Sequence, residues 1–112
     1  MAINTETLTD NNCLVLGDDI HAMSAEEIEQ NLDHLEPRWK HNPEQGHIEH
    51  CFMFDNYYQT MAFANVVAQI AHQQDHHPGM FIEYRKCLVT YSTHDVAGIS
   101  IKDFICAAKI NA

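Results

Sequence analysis

Three of the nine histidines in this 112-residue chain stand where their side chains could act together. His76 and His77 precede Pro78, and His94 follows a strand-like run that ends at Thr93. If the intervening chain folds as a hairpin, its far end returns His94 to the His76–His77 pair, and three imidazoles face one pocket. An imidazole has an ordinary pKa of about 6.5, so it can both give and accept a proton near neutral pH. The spacing indicates either a metal site or proton-transfer chemistry.

The metal interpretation has little support from the spacing. Adjacent side chains such as those of His76 and His77 point in divergent directions, so they rarely share one ion. His72 and His76 are four residues apart, which is a ligand spacing on helices, but the residues between them have the composition of a helix end. The motifs HExxH and HxH are absent from the sequence. We therefore predict that the chain holds no metal.

The acid–base interpretation fits these residues better. Two imidazoles on opposite walls of a cleft can protonate a leaving group and deprotonate a second atom. A third can orient the substrate, and a carboxylate of Asp75, Asp95 or Asp103 could fix a tautomer or tune a pKa. The alternative is a set of hydrogen-bonded surface histidines in a histidine-rich chain, and the spacing alone leaves that alternative open. Glycine-rich phosphate loops and GxSxG are absent, which leaves other enzyme classes with little support.

Composition limits the partners that the chain can have. Sixteen acids against six Lys and Arg give a formal net charge of −10. This charge argues against direct binding of nucleic acid or of an anionic membrane surface, because both need a basic protein face. The length predicts one domain. We expect residues 1–20, which are mostly polar and acidic, to form a loosely ordered arm, and residues 21–112 to form the single domain.

The cysteines indicate a reducing compartment. No CxxC and no disulfide or zinc spacing is present, and Cys51, Cys87 and Cys106 stand among apolar residues, as buried free thiols do. The first twelve residues have neither the basic start nor the apolar stretch of a secretory signal. No apolar run approaches the roughly 20 residues that a membrane helix needs. We predict a cytoplasmic protein that makes no membrane contact.

Caps, chain breakers and periodicity predict six elements around the histidines. Ser24 and Glu27 form a capping box at the start of the first helix, and Ser100 and Asp103 form a second box at the start of the last helix. The elements in chain order are a helix from 24 to 35 or 36, a strand over 47–54, a helix from 55 or 56 to 72 or 73, strands over 81–84 and 87–93, and a helix from 100. Residues 41–46 are turn-like.

The order of these elements predicts an α+β fold. We expect two layers, in which helices pack on one face of a small four-stranded antiparallel sheet, and the patterns locate three of its strands. In the strand over 87–93, Cys87, Val89, Tyr91 and Thr93 should face one way, because side chains alternate along a strand.

A specific combination of motifs spans residues 75 to 103. It consists of a histidine pair before proline, aromatic residues and a strand, a Thr-His pair, a Gly-hydrophobic-Ser run and an acid on the last helix. The residues are Asp75-His76-His77-Pro78, Phe81, Tyr84, Ser92-Thr93-His94-Asp95, Ala97-Gly98-Ile99-Ser100 and Asp103. This combination resembles the pterin-4a-carbinolamine dehydratase family. Trp39 and the Phe52-x-Phe54 strand match its N-terminal half, so the resemblance covers roughly residues 24–110.

The resemblance implies a concrete reaction. The family removes water from 4a-hydroxytetrahydrobiopterin to give quinonoid dihydropterin, which recycles the cofactor of aromatic amino-acid hydroxylation. The pterin is the substrate, and no cofactor is implied. His76, His94 and His77 would form the catalytic set, with the first two as acid–base residues and His77 mainly holding the pterin. By the same resemblance, Asp103, Thr93 and Asp75 would join His77 among the substrate-binding residues.

The resemblance also implies assembly of several copies. Sheets of this family pair edge to edge in dimers, which assemble further into tetramers, so we expect a homodimer or homotetramer. In animals, some relatives act as dimerisation cofactors of a homeodomain transcription factor, which makes a non-catalytic protein-binding partner the alternative function. Two positions depart from the pattern. Gly79-Met80 stands where the family often has an acid and Trp, and His72 stands where it often has a carboxylate.

Overall fold

Three helices and four strands lie within Cys13 and residues 20–111, which are the residues described in this computed structural model. In chain order they are α1 (Ala25–Leu32), β1 (Lys40–Asn42), β2 (His47–Met53), α2 (Tyr57–Gln74), β3 (Gly79–Glu83), β4 (Lys86–Tyr91) and α3 (Ile101–Asn111), with a 3₁₀ turn at His94–Val96. The predicted α+β fold with four antiparallel strands is confirmed. The predicted arm over residues 1–20 lies outside the described residues, apart from Cys13 and Ile20.

The strands form one antiparallel sheet in the order β1-β2-β4-β3. Alternate residues of β4 are fully buried, namely Cys87, Val89 and Tyr91, so the predicted orientation of this strand is confirmed. They share one core with apolar residues of the helices, among them Val67, Phe104 and Ile105. Because α3 is buried continuously from residue 103 to residue 108, its first turn brings Asp103 into the interior.

The segment predicted as a turn contains an additional strand. β1 pairs with β2 through His41 opposite Ile48, and the hairpin between them closes at Gly46, whose φ of 72° suits glycine. The predicted turn over 41–46 is therefore wrong at its first two residues, His41 and Asn42, which belong to β1. Three polar residues carry no alternating pattern, so only the pairing with β2 makes them a strand.

The first helix is shorter than predicted. Its capping box is present, since the Ser24 hydroxyl accepts from the Glu27 amide and the Glu27 carboxylate accepts from the Ser24 amide. The helix ends at Leu32, and Leu35 N–H bonds back to the Leu32 carbonyl in a tighter turn. Leu35 is still buried, so the apolar spacing extends beyond the regular helix.

The cysteines are distributed differently from the prediction. Cys51 is exposed, because it lies on the outward face of β2, and the prediction of a buried thiol there is wrong. Cys13 is buried instead, with its sulfur 3.7 Å from that of Cys106. Its amide donates to Oε1 of Gln74, the last residue of α2, at 2.8 Å. All four cysteines are free thiols.

Every residue of β3 is exposed, and this strand forms one edge of the sheet. Its apolar members are Met80 at 38%, Phe81 at 56% and Ile82 at 37% exposure. Among the described residues, none of the helices combines the length and apolar character needed to cross a membrane.

Candidate active site

Asp103, in the first turn of α3, makes the central contact of the candidate site. Its Oδ1 lies 2.6 Å from Nε2 of His76, and its side chain is fully buried. An ionised carboxylate can only accept hydrogen bonds, so Nε2 of His76 carries the proton between the two groups. The tautomer of His76 is thereby fixed, and its second ring nitrogen, Nδ1, remains for another partner.

The second oxygen of Asp103 is held by the segment that leads into α3. Oδ2 accepts from the Thr93 hydroxyl and from the Ser100 amide, both at 2.9 Å. The Thr93 and Ser100 hydroxyls are 2.6 Å apart, and Ser100 is the donor because the one Thr93 proton goes to Asp103. Ser100 Oγ accepts from the Lys102 amide at 3.2 Å. The predicted capping box is thus only half present, since Ser100 caps Lys102 rather than Asp103.

The end of α2 separates the two adjacent histidines. Asp75 adopts the left-handed conformation, with a φ of 49°, which Asp tolerates better than most residues do. The His76 amide then donates to the Ala71 carbonyl at 3.2 Å. This turn places the His76 side chain inside, at 9% exposure, and leaves His77 exposed.

A one-residue bridge after β4 positions the third histidine. Thr93 N–H donates to the Gly98 carbonyl at 2.6 Å, and Gly98 N–H donates back to the Thr93 carbonyl at 3.3 Å. The bridge closes a small loop around His94, and Ala97 takes a φ of 52° to complete it. His94 is exposed.

These segments surround an open cavity of about 260 Å³. Its lining residues come from the end of α2, the chain after β4 and the start of α3: Asp75, His76, His77, Ser92, Thr93, His94, Asp95 and Lys102. All three predicted histidines therefore lie at one cavity, with Asp75 and Thr93 beside them. Asp103 does not line it. Asp103 lies behind His76, and the Thr93 hydroxyl is occupied by Asp103 and Ser100.

The sequence does not indicate that two further residues lie at this site. Lys102 lines the cavity, and it is the one Lys or Arg side chain among the lining residues. Tyr91 lies in the core with its ring parallel to the His76 imidazole, at 7° between planes and 5.7 Å between centroids. No motif spacing points to either residue, because both depend on how β4 and α3 pack against the end of α2.

A larger groove of about 550 Å³ lies between α1 and β1 and is lined in part by Leu32, Leu35 and Trp39. It contains one histidine, His41, and none of the paired acid–base groups of the smaller cavity. Chemistry rather than size therefore identifies the candidate site. Within the described residues, His, Cys, Asp and Glu side chains form no group of three suited to hold a metal ion.

Comparison with known sequences places this chain in a protein family. The profile of the family described as "Pterin 4 alpha carbinolamine dehydratase" matches residues 21–112. This chain belongs to that family. The match covers all the residues that line the cavity, together with Asp103.

Individual members of the pterin carbinolamine dehydratase family are similar over most of their length. A protein from Nitrosomonas eutropha is 44% identical over 104 residues, which cover 93% of this chain and 90% of that protein. One from Nitrosospira multiformis is 49% identical over 89 residues, covering 80% and 76% of the two chains. Both are provisionally named as pterin-4-alpha-carbinolamine dehydratases.

A solved structure extends the similarity to the fold. The crystal structure of a protein from Brucella melitensis, described as a transcriptional coactivator/pterin dehydratase, is 27% identical. It superposes with a TM-score of 0.76 and covers 81% of this chain and 96% of that one.

Proposed function

We propose that this protein removes water from 4a-hydroxytetrahydrobiopterin to give quinonoid dihydropterin. Membership of the pterin carbinolamine dehydratase family supports this function. The structural observation that carries it is the 2.6 Å contact between His76 and Asp103 at a cavity that His94 also lines. Two imidazoles at one cavity, one of them held in place by a carboxylate, can supply the acid and the base that elimination of water requires.

The reaction needs two proton transfers. A proton is delivered to the hydroxyl on C4a, the C–O bond breaks, and water leaves. The lone pair of the adjacent ring nitrogen forms the C=N bond, and that nitrogen then loses its own proton. One proton is gained and one is lost, so no oxidant or reductant is consumed. We assign these transfers to His76 and His94.

His76 is prepared for its part by Asp103. The carboxylate holds Nε2–H, so that in the neutral ring Nδ1 is a lone pair that can accept a proton. Once protonated, the imidazolium is stabilised by the buried carboxylate and can return the proton. Asp103 therefore acts on the substrate through His76, as a positioning residue rather than as a direct substrate contact.

The exposed groups of the cavity hold the substrate in this proposal. His77 and Asp75 line the same cavity and offer a donor and an acceptor to a pterin, which carries amide and amine groups. The Thr93 hydroxyl is committed to Asp103, so we assign its contribution to positioning. The pterin is the substrate, and the proposed chemistry uses no further cofactor.

Stopped-flow absorbance with 4a-hydroxytetrahydropterin tests the function. We expect the wild type to accelerate dehydration, and the double variant His76→Ala, His94→Ala to lose about 10²-fold or more of that acceleration, which is the usual contribution of general acid–base catalysis. His72→Ala is the matched control, because His72 is an exposed histidine near the end of α2 that does not line the cavity. Equal rates for the wild type and the double variant would reject the proposal.

A second candidate function is a non-catalytic oligomeric binding partner. The Brucella melitensis protein is described in part as a transcriptional coactivator, and β3 exposes an apolar edge in this chain. This candidate predicts that binding to a partner survives the His76→Ala, His94→Ala double variant. It also predicts no acceleration of dehydration by the wild type.

We further propose that copies associate through the β3 edge and that the protein is cytoplasmic. Unpaired backbone groups on an exposed, apolar edge strand favour pairing with another strand. Four free thiols, two of them 3.7 Å apart without a bond, fit a reducing compartment.

A further inference from the structure

Tyr91 and the His76 imidazole form a parallel pair beside the cavity. Their planes differ by 7°, and their centroids are 5.7 Å apart. Tyr91 is the last residue of β4 and is fully buried. Its ring is confined in turn by Trp39, at 6.4 Å between centroids.

One hydrogen bond does not fix an imidazole plane. The contact from Nε2 to Asp103 sets one point of the ring, but the ring could still pivot about the line between the two atoms. A parallel aromatic ring restricts that pivot, because turning the imidazole would drive its edge toward the neighbouring ring. The direction of Nδ1, the nitrogen left for the substrate, then depends on Tyr91 as well as on Asp103.

We propose that Tyr91 is a positioning residue whose ring sets the plane of His76 and therefore the direction in which Nδ1 meets the substrate. This inference rests on the proposed dehydratase function for its kinetic consequence. The geometric component of the inference, that an aromatic neighbour fixes the imidazole plane, does not depend on the proposed function.

The ring of Tyr91, and not its hydroxyl, carries this role. The hydroxyl is buried beside the Cys106 thiol, and no nitrogen or oxygen atom of the described residues forms a hydrogen bond with it. Burial raises the pKa of Tyr91 far above its ordinary range, so the hydroxyl stays protonated and exchanges no proton near neutral pH. Phenylalanine should therefore replace Tyr91 without loss.

Kinetics of Tyr91→Phe and Tyr91→Leu test whether the aromatic ring is required, because the first variant keeps the ring and the second removes it. For Tyr91→Leu we expect kcat to fall by about 10- to 100-fold, because small misorientations of a catalytic group cost this much, with little change in KM. For Tyr91→Phe we expect kcat within about 2-fold of the wild type, since the required geometry is retained. Tyr91→Met serves as a second ring-free variant if the Leu variant does not fold. Val89→Ala, on the same buried face of β4, controls for loss of packing alone.

NMR of the His76 ring protons supplies a readout that does not need activity. Loss of the Tyr91 ring current would shift these protons even in a fixed ring, so the imidazole plane is measured from their NOE contacts to neighbouring protons. The pattern of NOEs from the His76 ring should change in Tyr91→Leu and stay close to wild type in Tyr91→Phe and Val89→Ala. If the wild type shows no dehydratase activity, the proposed function fails and this NMR comparison alone decides the inference.

Three outcomes would overturn the role of Tyr91. The first is wild-type kcat, or an unchanged pattern of NOEs from the His76 ring, in a folded Tyr91→Leu or Tyr91→Met variant. The second is a loss of kcat in Val89→Ala equal to that in Tyr91→Leu. The third is a loss in Tyr91→Phe as large as in Tyr91→Leu, which would assign the effect to the hydroxyl.

Discussion

At the scale of single residues, the candidate site depends on one buried carboxylate. Asp103 bonds His76, Thr93 and Ser100 at once. It therefore ties the end of α2 and the chain after β4 to the first turn of α3. A change at this position acts on the chemistry through the orientation and charge of His76, without removing any group that touches the substrate.

We expect Asp103→Asn to lower kcat on the order of 100-fold, within the range lost when general acid–base catalysis is impaired. An amide has no charge to stabilise the imidazolium, and its NH₂ end offers a donor where His76 needs an acceptor. Steady-state dehydration kinetics measure the effect. Asp95→Asn is the control. Asp95 also carries a carboxylate at the cavity, but His76 forms its hydrogen bond with Asp103. A similar loss in both variants would contradict the special role of Asp103.

His50, at 4% exposure, is a buried histidine outside the site. Its ring stacks on Phe52 at 3.7 Å between centroids. Burial lowers the pKa of His50 from its ordinary 6.5, although the Glu36 carboxylate, 3.6 Å away, partly opposes the shift. The unfolded chain therefore takes up a proton at this position before the folded protein does. Stability contributed by the neutral ring is complete above about pH 6.5 and is lost as the pH falls below it.

The variant His50→Leu should accordingly lose less Tm than the wild type between pH 7.5 and pH 5.5. Thermal unfolding followed by circular dichroism at the two pH values measures this difference. His72→Leu, at an exposed histidine, should keep the wild-type pH dependence. Identical pH dependence in the wild type and His50→Leu would show that His50 does not titrate as its burial implies.

The sequence revealed the chemistry of the site better than its arrangement. Asp75-His76-His77 and Thr93-His94 are contiguous in the chain, so their types and spacing are informative on their own. Asp103 was recognised as part of the pattern, but its place behind His76 follows from the burial of α3. For Tyr91 the sequence predicts only a face shared with Cys87, Val89 and Thr93, since a contact between β4 and the end of α2 leaves no local signal.

At the scale of elements, the hairpin β3–β4 explains one departure from the family pattern. Gly79 pairs with Thr90 across the hairpin, and a Cβ added at Gly79 would lie 2.5 Å from Thr90 Oγ1. The glycine therefore fits the β-branched neighbour that this chain places opposite it. Its significance lies in packing within the sheet rather than in the wall of the cavity, since Gly79 is not among the cavity's lining residues.

We expect Gly79→Ala to destabilise the protein by about 1–3 kcal/mol, the usual cost of overpacking. In a Thr90→Ala background the same substitution should cost clearly less, because the clashing hydroxyl is absent. Urea unfolding of the four proteins gives the coupling free energy. An equal cost in both backgrounds would mean that another contact restricts position 79.

Elements with a repeated pattern were predictable, and the short ones were not. α2 and β4 each present several turns or alternations, and their positions agreed with the structure to within about two residues. β1 has three polar residues and exists because β2 offers it a partner. The end of α1 was placed too late because Leu35 continues the apolar spacing after the backbone has left the helix.

At the scale of the whole molecule, the apolar edge of β3 is the feature that predicts assembly. Pairing of two copies there would cover Met80, Phe81 and Ile82 and join two four-stranded sheets into one. The charge of −10 on each 12.8 kDa chain opposes association in general, so the contact should be confined to apolar surface of this kind.

The wild type should therefore have the mass of a dimer or tetramer in sedimentation equilibrium. The double variant Met80→Lys, Ile82→Lys should shift the population toward monomer, because lysines on an edge strand oppose pairing. Tyr58→Lys is the control at an exposed aromatic residue of α2. Dissociation by Tyr58→Lys and not by the β3 variant would place the interface on α2 instead.

The contact of Cys13 with Gln74 bears on how the domain is delimited. The family match begins at residue 21, yet the Cys13 amide bonds the side chain of Gln74, two residues before His76, and its sulfur lies against Cys106. A fragment cut at the start of the matched region would leave a cavity beside Cys106 and an unpaired amide oxygen on Gln74. The smallest fragment that preserves the support of His76 therefore extends at least to Cys13.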